Sequence, residues 1–228
     1  MNAVDESFRL TLTQSAAAMG VSLSETQTLA LLGYMALIQK WNKVYNLTAV
    51  RDASAMLTHH LLDSLAVIAP LREQLRAKQV LGEDVAKRVR LLDVGSGAGL
   101  PGVVIAIMCP GIQVDCVDTV AKKASFIQQV AVTLRLPNLR GIHARVESLT
   151  DKYQVVSSRA FASLVDFTSW SVNALAEQGV WMGMKGKHPA DEMAALPASV
   201  AVFHVEQLDV PGLGAERCIV WMRPAVEG

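Results

Sequence analysis

Apolar positions follow two different periods along the chain, and the change between them divides it. Up to about residue 70 they recur every three or four positions: Leu31, Met35, Ile38 and Trp41, then Leu57, Leu61, Leu65 and Ile68. That spacing puts one apolar stripe on a helix. Helices are expected from Phe8 to Met19, closed by Gly20, from Ser24 to about Trp41, and from Ser54 to Ala69 with Pro70 at the end. Ser24-Glu-Thr-Gln27 has the spacing of a capping box, in which the serine and glutamine side chains each satisfy a backbone N–H. From Val89 onward short apolar runs of strand length alternate with helical stretches. Strands are expected at Val89 to Val94, Gln113 to Val117, Leu139 to Ala144, Gln154 to Ser157 and Gly179 to Met184. Helices are expected at Pro101 to Met108, Val120 to Leu134 and from Leu164 to about Ala176.

The last quarter changes again. Ser199 to Val210 and Arg217 to Arg223 read as strands, and Pro211-Gly-Leu-Gly214 between them is a turn with no room for a parallel crossover. The pattern therefore predicts an α/β, Rossmann-like fold: a seven-stranded, mostly parallel sheet finishing in a C-terminal antiparallel hairpin. Three regions follow: an N-terminal helical region over 1–70, a charged, poorly patterned extension or linker over 71–88, and the sheet domain over 89–228.

Composition narrows the setting. The chain has 228 residues, 51% of them apolar and 18% charged, enough to bury a sizeable core. No apolar run reaches the roughly 18 residues of a membrane span, and Met1 to Leu10 is polar and acidic, so a cytoplasmic protein that meets no membrane is expected. Lys plus Arg and Asp plus Glu both number 21, so net charge gives no nucleic-acid signature. Local basic clusters remain, at Lys40 and Lys43, along Arg72 to Arg90, at Arg135, Arg140 and Arg145, and at Lys185, Lys187 and His188. Cys109, Cys116 and Cys218 are scattered and odd in number, which fits structural thiols. The adjacent His59 and His60 lack the spacing of a metal pair, so no metal is expected.

Chemistry concentrates at Arg90-Leu-Leu-Asp-Val-Gly-Ser-Gly-Ala-Gly-Leu-Pro-Gly102. A strand ends in an acid and opens into glycines, which let a ligand approach bare backbone while the next helix offers free N–H groups. In a doubly wound sheet such a loop lies at the carboxyl ends of the strands, beside Asp118, Glu147 and Arg159. Asp118, closing the second strand, suits the hydroxyls of a ribose. Both a nicotinamide cofactor and S-adenosyl-L-methionine carry that ribose. Asp93, two residues before Gly95, suits an ammonium and a sulfonium better than a pyrophosphate, and the closing hairpin departs from a dinucleotide fold, so both favour the methyl donor. The alternative role for Asp93, compatible with the same cofactor, is to satisfy loop N–H groups. Trp41-Asn-Lys-Val-Tyr-Asn-Leu-Thr48 suits either packing of a helix end or stacking and phosphate contact with RNA. A nucleotide-dependent oxidoreductase and a non-catalytic cofactor-binding regulator are the competing readings.

These motifs resemble class I S-adenosylmethionine-dependent methyltransferases. More narrowly they resemble the glucose-inhibited division protein B family, bacterial 16S rRNA guanine-N7 methyltransferases. The similar segments are Lys40 to Thr48, His60-Leu-Leu-Asp-Ser64, Leu92 to Gly102, Ala144-Arg-Val-Glu147 and Ser158-Arg-Ala-Phe-Ala-Ser-Leu164. The resemblance implies methylation of a guanine N7, guanine 527 of the small-subunit rRNA, by direct in-line transfer without a general base. It implies that Gly95 and Leu100 touch the cofactor, with Gly97, Gly99, Asp93 and Asp118 in the same site, that Val146 and Glu147 flank the adenine, and that Arg159 is a catalytic, cofactor or substrate contact. Lys43, Tyr45, Phe161, Lys185 and Lys187 are the candidate RNA contacts. The expected partner is 16S rRNA or the small ribosomal subunit, bound by a monomer.

Overall fold

The computed structural model describes residues 3–77, 89–159 and 163–225. Two long helices lead, α1 (Ala3–Ala18) and α2 (Glu25–Tyr45). The capping box forms as its spacing predicts. The Gln27 N–H donates to Ser24 Oγ at 3.2 Å and the Ser24 N–H to Gln27 Oε1 at 2.9 Å. α2 runs one turn past Trp41 and stops where Asn46 takes a left-handed φ of 48°.

The single helix expected from Ser54 to Ala69 is instead broken up. α3 (Ala53–Met56) passes into a π-helical segment (Leu57–Leu62), then α4 (Asp63–Leu65) and, after a short turn, α5 (Ile68–Ala77). Every residue from His60 to Ile68 is buried, so this stretch is enclosed on all sides and an amphipathic stripe does not describe it. Pro70 does not end a helix. It lies in the first turn of α5, where a missing N–H costs nothing. Of the expected extension over 71–88, α5 takes the part up to Ala77 and residues 78–88 lie outside the described residues.

The sheet strands are β1 (Val89–Val94), β2 (Ile112–Asp118), β3 (Leu139–His143), β4 (Tyr153–Arg159), β5 (Leu175–Lys185), β6 (Val200–Leu208) and β7 (Arg217–Pro224). Their order is β3-β2-β1-β4-β5-β7-β6. β1 to β5 are parallel, and β7 runs antiparallel between β5 and β6. The C-terminal hairpin thus docks through its second strand, leaving β6 at the edge. The intervening helices are α6 (Gly102–Met108), α7 (Ala121–Thr133), α8 (Leu164–Ser171) and the short α9 (Ala190–Ala194). β4 extends to carry Arg159 at its end, and β5 begins at Leu175, where the tail of a helix was expected.

Alternate residues of β1 point to opposite faces, and each face has its own core. Leu91 joins Val103, Phe126 and Ile127, together with Leu31, Ile38, Leu61 and Leu65 from the front helices. Leu92 and Val94 join Phe167, Trp181 and Met222 on the other face. The N-terminal helices are therefore one of the two layers that cover the sheet, packed into the same core as α6 and α7. Their contact reaches the glycine loop directly, where the buried Tyr34 hydroxyl donates to the Ala98 carbonyl at 2.6 Å.

Candidate functional site

The turn after β1 needs glycine. Gly95, Gly97 and Gly99 have φ of 64°, 60° and 93°, a region that side-chain-bearing residues rarely enter. At Gly99 a Cβ would also lie 2.5 Å from Val103 Cγ2. This glycine is buried against α6 and Tyr34, so its job is packing, while Gly95 is exposed at the mouth of the crevice.

The loop amides do not point at a ligand, contrary to what the sequence suggests. The Gly95 and Ser96 N–H groups donate to the Val117 carbonyl at 2.9 and 3.2 Å, and the Gly97 N–H donates to Asp118 Oδ2 at 3.0 Å. The first N–H of α6, on Gly102, donates to Asp93 Oδ2 at 2.9 Å. Pairing with the β2 end and a buried acid has used these donors. A pyrophosphate depends on such amides being open, whereas a cationic ligand has no use for them.

Asp93 lies beneath the crevice rather than on its wall. It is 0% exposed, and its second oxygen accepts from Ser157 Oγ at 3.0 Å. Burial pushes its carboxyl up to about 6, against the pull of the Gly102 and Ser157 hydrogen bonds. Gly102 allows this close approach, since a Cβ there would sit 2.4 Å from Cys116 Sγ and 2.9 Å from Asp93 Oδ2.

At the carboxyl ends of β1, β2 and β3 a cleft of about 570 Å³ opens. Val94, Gly95, Asp118, Val146, Glu147 and Trp170 line it, with Val120 and Lys123 at one side. The sequence-predicted Gly95, Asp118, Val146 and Glu147 are thus brought together, while Leu100 is buried near the loop's end. Asp118 accepts from the Gly97 and Val120 N–H groups at 3.0 and 2.9 Å, and Lys123 Nζ stands 3.5 Å away. A carboxylate has about four acceptor positions, so two amides leave capacity for hydroxyls. Val146 is buried and Glu147 exposed, one forming an apolar wall and the other a polar rim. Trp170 is 43% exposed and offers an aromatic surface to the same cleft.

Arg159 faces a second cleft, of about 340 Å³, lined also by His59, Asp63, Met184, Lys185 and Arg217. Lys185 Nζ is held by Glu192 Oε2 at 2.7 Å, and Lys187 is exposed beyond it. The other RNA candidates lie apart from this group. Lys43 lines a third cleft with Arg51 and Asn42 at the end of α2. Tyr45 rests on Trp41 with ring centroids 5.1 Å apart, and Trp41 in turn packs on Phe126 at 5.4 Å. Asn42 pins the following loop, donating to the Val50 carbonyl at 3.2 Å and accepting from the Thr48 N–H at 3.0 Å. Thr48 Oγ1 lies 2.8 Å from His60 Nε2, and burial pushes the His60 imidazole below its usual range. Packing accounts for Trp41 and Asn42, and exposed basic side chains remain at Lys43 and Arg51. Phe161 lies outside the described residues.

Sequence reasoning missed Trp170, Asp63 and Arg217. Trp170 had no motif around it. Asp63 stood within a recognised segment without a role, and Arg217 opens a strand whose place in the sheet depends on β7 inserting beside β5. Among the described residues no group of three or more His, Cys, Asp or Glu could hold a metal ion, and no helix is long and apolar enough to cross a membrane.

A family model described as GidB, rRNA small subunit methyltransferase G, matches residues 27–220. The chain is 66% identical over 220 residues to the ribosomal RNA small subunit methyltransferase G of Acidovorax sp. (strain JS42), covering 96% of each. It is 70% identical over 203 residues to the protein of that name from Albidiferax ferrireducens, covering 88% of this chain and 90% of the relative. Among solved structures, TrmN from Thermus thermophilus aligns over 74% of this chain and 53% of its own, with a TM-score of 0.52 and 17% identity. Coclaurine N-methyltransferase bound to N-methylheliamine and SAH aligns over 90% of this chain and 74% of its own, with a TM-score of 0.52 and 12% identity. At such identities the likeness speaks to the fold alone.

Proposed function

The chain belongs to the GidB family, rRNA small subunit methyltransferase G, and from that membership we propose that it methylates N7 of a guanine in 16S rRNA, guanine 527 by the resemblance of its motifs, with S-adenosylmethionine as donor. The observation that carries the cofactor half of this reading is the first cleft. It joins an apolar and aromatic wall, a ribose-competent Asp118 and a glycine loop whose amides are already paired.

S-adenosylmethionine, when bound, supplies a methyl group on a cationic sulfur that departs as a neutral thioether. The chain's own residues then have three tasks. Of the residues lining the cleft, Asp118 would accept from the ribose hydroxyls, Val146, Trp170 and Glu147 would hold the adenine, and the bare backbone at Gly95 would admit the sulfur end. Guanine N7 carries a lone pair and no proton, so no side chain need act as a base. Catalysis reduces to holding nucleophile and methyl in line and keeping water out.

Methylation leaves a cationic base, which nearby unpaired cations would oppose. The cations of the second cleft are each bonded to a carboxylate, Arg159 and Arg217 sharing Asp63 and Lys185 on Glu192, so none stands free beside a base. The major groove of A-form RNA is deep and narrow, so a guanine in a loop or irregular helix is the form the site can reach.

The test is transfer from methyl-labelled S-adenosylmethionine to 16S rRNA or the small subunit, followed by nucleoside analysis. Label in 7-methylguanosine is expected. Label on an exocyclic amine, a ring carbon or a ribose would contradict the assignment.

A further inference from the structure

The second cleft contains an arrangement that methyl transfer does not by itself require. Asp63 stands where the π-helical segment gives way to α4, with its side chain only 3% exposed. Its Oδ2 accepts from Arg159 Nη1 at 2.9 Å, at the end of β4, and its Oδ1 accepts from Arg217 Nε at 2.8 Å, at the start of β7. Segments 96 and 154 residues away in sequence thus meet on one carboxylate. A second bond fixes each arginine: Arg159 Nη1 donates to the His59 carbonyl at 2.9 Å and Arg217 Nη1 to the Glu216 carbonyl at 2.8 Å.

Arg159 is therefore held through Nη1 alone, and Arg217 through Nε and Nη1. Nη2 of each makes no hydrogen bond among the described residues, although both side chains line the cleft and are 21% and 24% exposed. Two oriented guanidiniums with spare Nη2 donors can bond the oxygens of a phosphate, where a directed donor exceeds a simple point charge. Lys185 stands on the same wall paired with Glu192, so the excess positive charge of the cleft comes from two arginines sharing the single carboxylate of Asp63.

Resting on the RNA reading above, we propose that this cleft seats a backbone phosphodiester of the substrate RNA on Arg159 and Arg217, and that Asp63 is the positioning residue that aims both guanidiniums. The phosphate would hold the strand beside the methyl-donor cleft while leaving the target base free of direct cation contact. The geometric role of Asp63 is separable from its charge. Replacing it by asparagine removes a negative charge from the cleft, and simple attraction would then tighten RNA binding. Loss of aim would loosen it.

The experiment measures binding of 16S rRNA over a salt series for wild type, Arg217→Gln, Arg217→Lys and Asp63→Asn, with calorimetric S-adenosylmethionine affinity for each. Arg217→Gln should bind RNA about tenfold more weakly, with a log–log salt slope shallower by roughly 0.7 to 0.9, and keep its cofactor affinity. Arg217→Lys should keep the slope. Asp63→Asn should bind RNA more weakly despite the lost negative charge. If Asp63→Asn loses cofactor binding and cooperative melting as well, the Arg217→Gln slope alone decides. An unchanged slope and affinity in Arg217→Gln, or tighter RNA binding in folded Asp63→Asn, would overturn the subsite. If wild type still methylates rRNA in that case, the functional reading stands without it. Wild-type protein that neither binds nor methylates rRNA would overturn the reading and the subsite together.

Discussion

At the scale of single residues, Asp93 and Trp170 carry separate consequences. Asp93 titrates near 6 in the folded protein because burial disfavours its charge, against an ordinary value of 3.8. The folded state therefore holds this proton more tightly than the unfolded chain does. Its contribution to stability is fully present below the unfolded value and falls as pH rises from about 4 through 6. Asp93→Asn keeps an acceptor for the Gly102 N–H and removes the titration. Its stability measured by denaturant should lose that component of the pH dependence, and an unaltered pH profile would contradict the burial argument. Trp170 lines the cleft proposed to hold the cofactor. Stacking on a base is worth about 1–3 kcal/mol, so Trp170→Ala should weaken S-adenosylmethionine binding by roughly five- to a hundredfold in calorimetry. Its partial exposure makes global unfolding a poor explanation for such a loss.

At the scale of elements, the contact between α2 and the glycine loop links the front helices to the site. Tyr34→Phe removes the hydroxyl that donates to the Ala98 carbonyl inside the core. The expected cost is about 1 kcal/mol in denaturant unfolding, with a measurable loss of cofactor affinity because the loop loses its anchor. Unchanged affinity would mean that the loop holds its shape without α2. Elements of this kind also show what could be read from the sequence. The Ser24–Gln27 cap, the strand and helix alternation and the glycine turn were legible because each is decided by neighbours in sequence. The π-helical segment was not, since burial on every side of His60 to Ile68 erases the stripe that periodicity detects. The insertion of β7 between β5 and β6 was also hidden, because strand order depends on contacts across the sheet.

The candidate site was legible in the same uneven way. Gly95, Asp118, Val146 and Glu147 lie at strand ends and converge by the logic of the fold. The inward turn of the loop amides and the burial of Asp93 depend on which acceptors β2 and β4 bring near, and no local pattern reports that. Trp170 and Arg217 reach their clefts through tertiary placement alone.

At the scale of the whole molecule, the front helices α1 to α5 and the seven-stranded sheet are layers of one core. Leu31, Tyr34, Ile38, Leu61 and Leu65 are fully buried, much of that against the sheet side. The chain should unfold in one cooperative transition. A fragment beginning at Val89 should expose the matching face of Leu91, Val103 and Phe126, bind hydrophobic dyes and melt without cooperativity. A fragment that folded sharply by itself would show the front helices to be a separate domain.

The two clefts open from one sheet, the first at the ends of β1 to β3 and the arginine cleft among β4, β5, β7, the π-helical segment and the start of α4. Membership of the family makes the chain an rRNA methyltransferase, and its proposed product is a methyl group on a guanine N7 of 16S rRNA. The most direct measurement maps 7-methylguanosine in 16S rRNA from cells with and without this protein. The expected result is loss of one 7-methylguanosine from the cells lacking it and its return when the protein is restored. Identical N7 methylation in both would contradict the assignment.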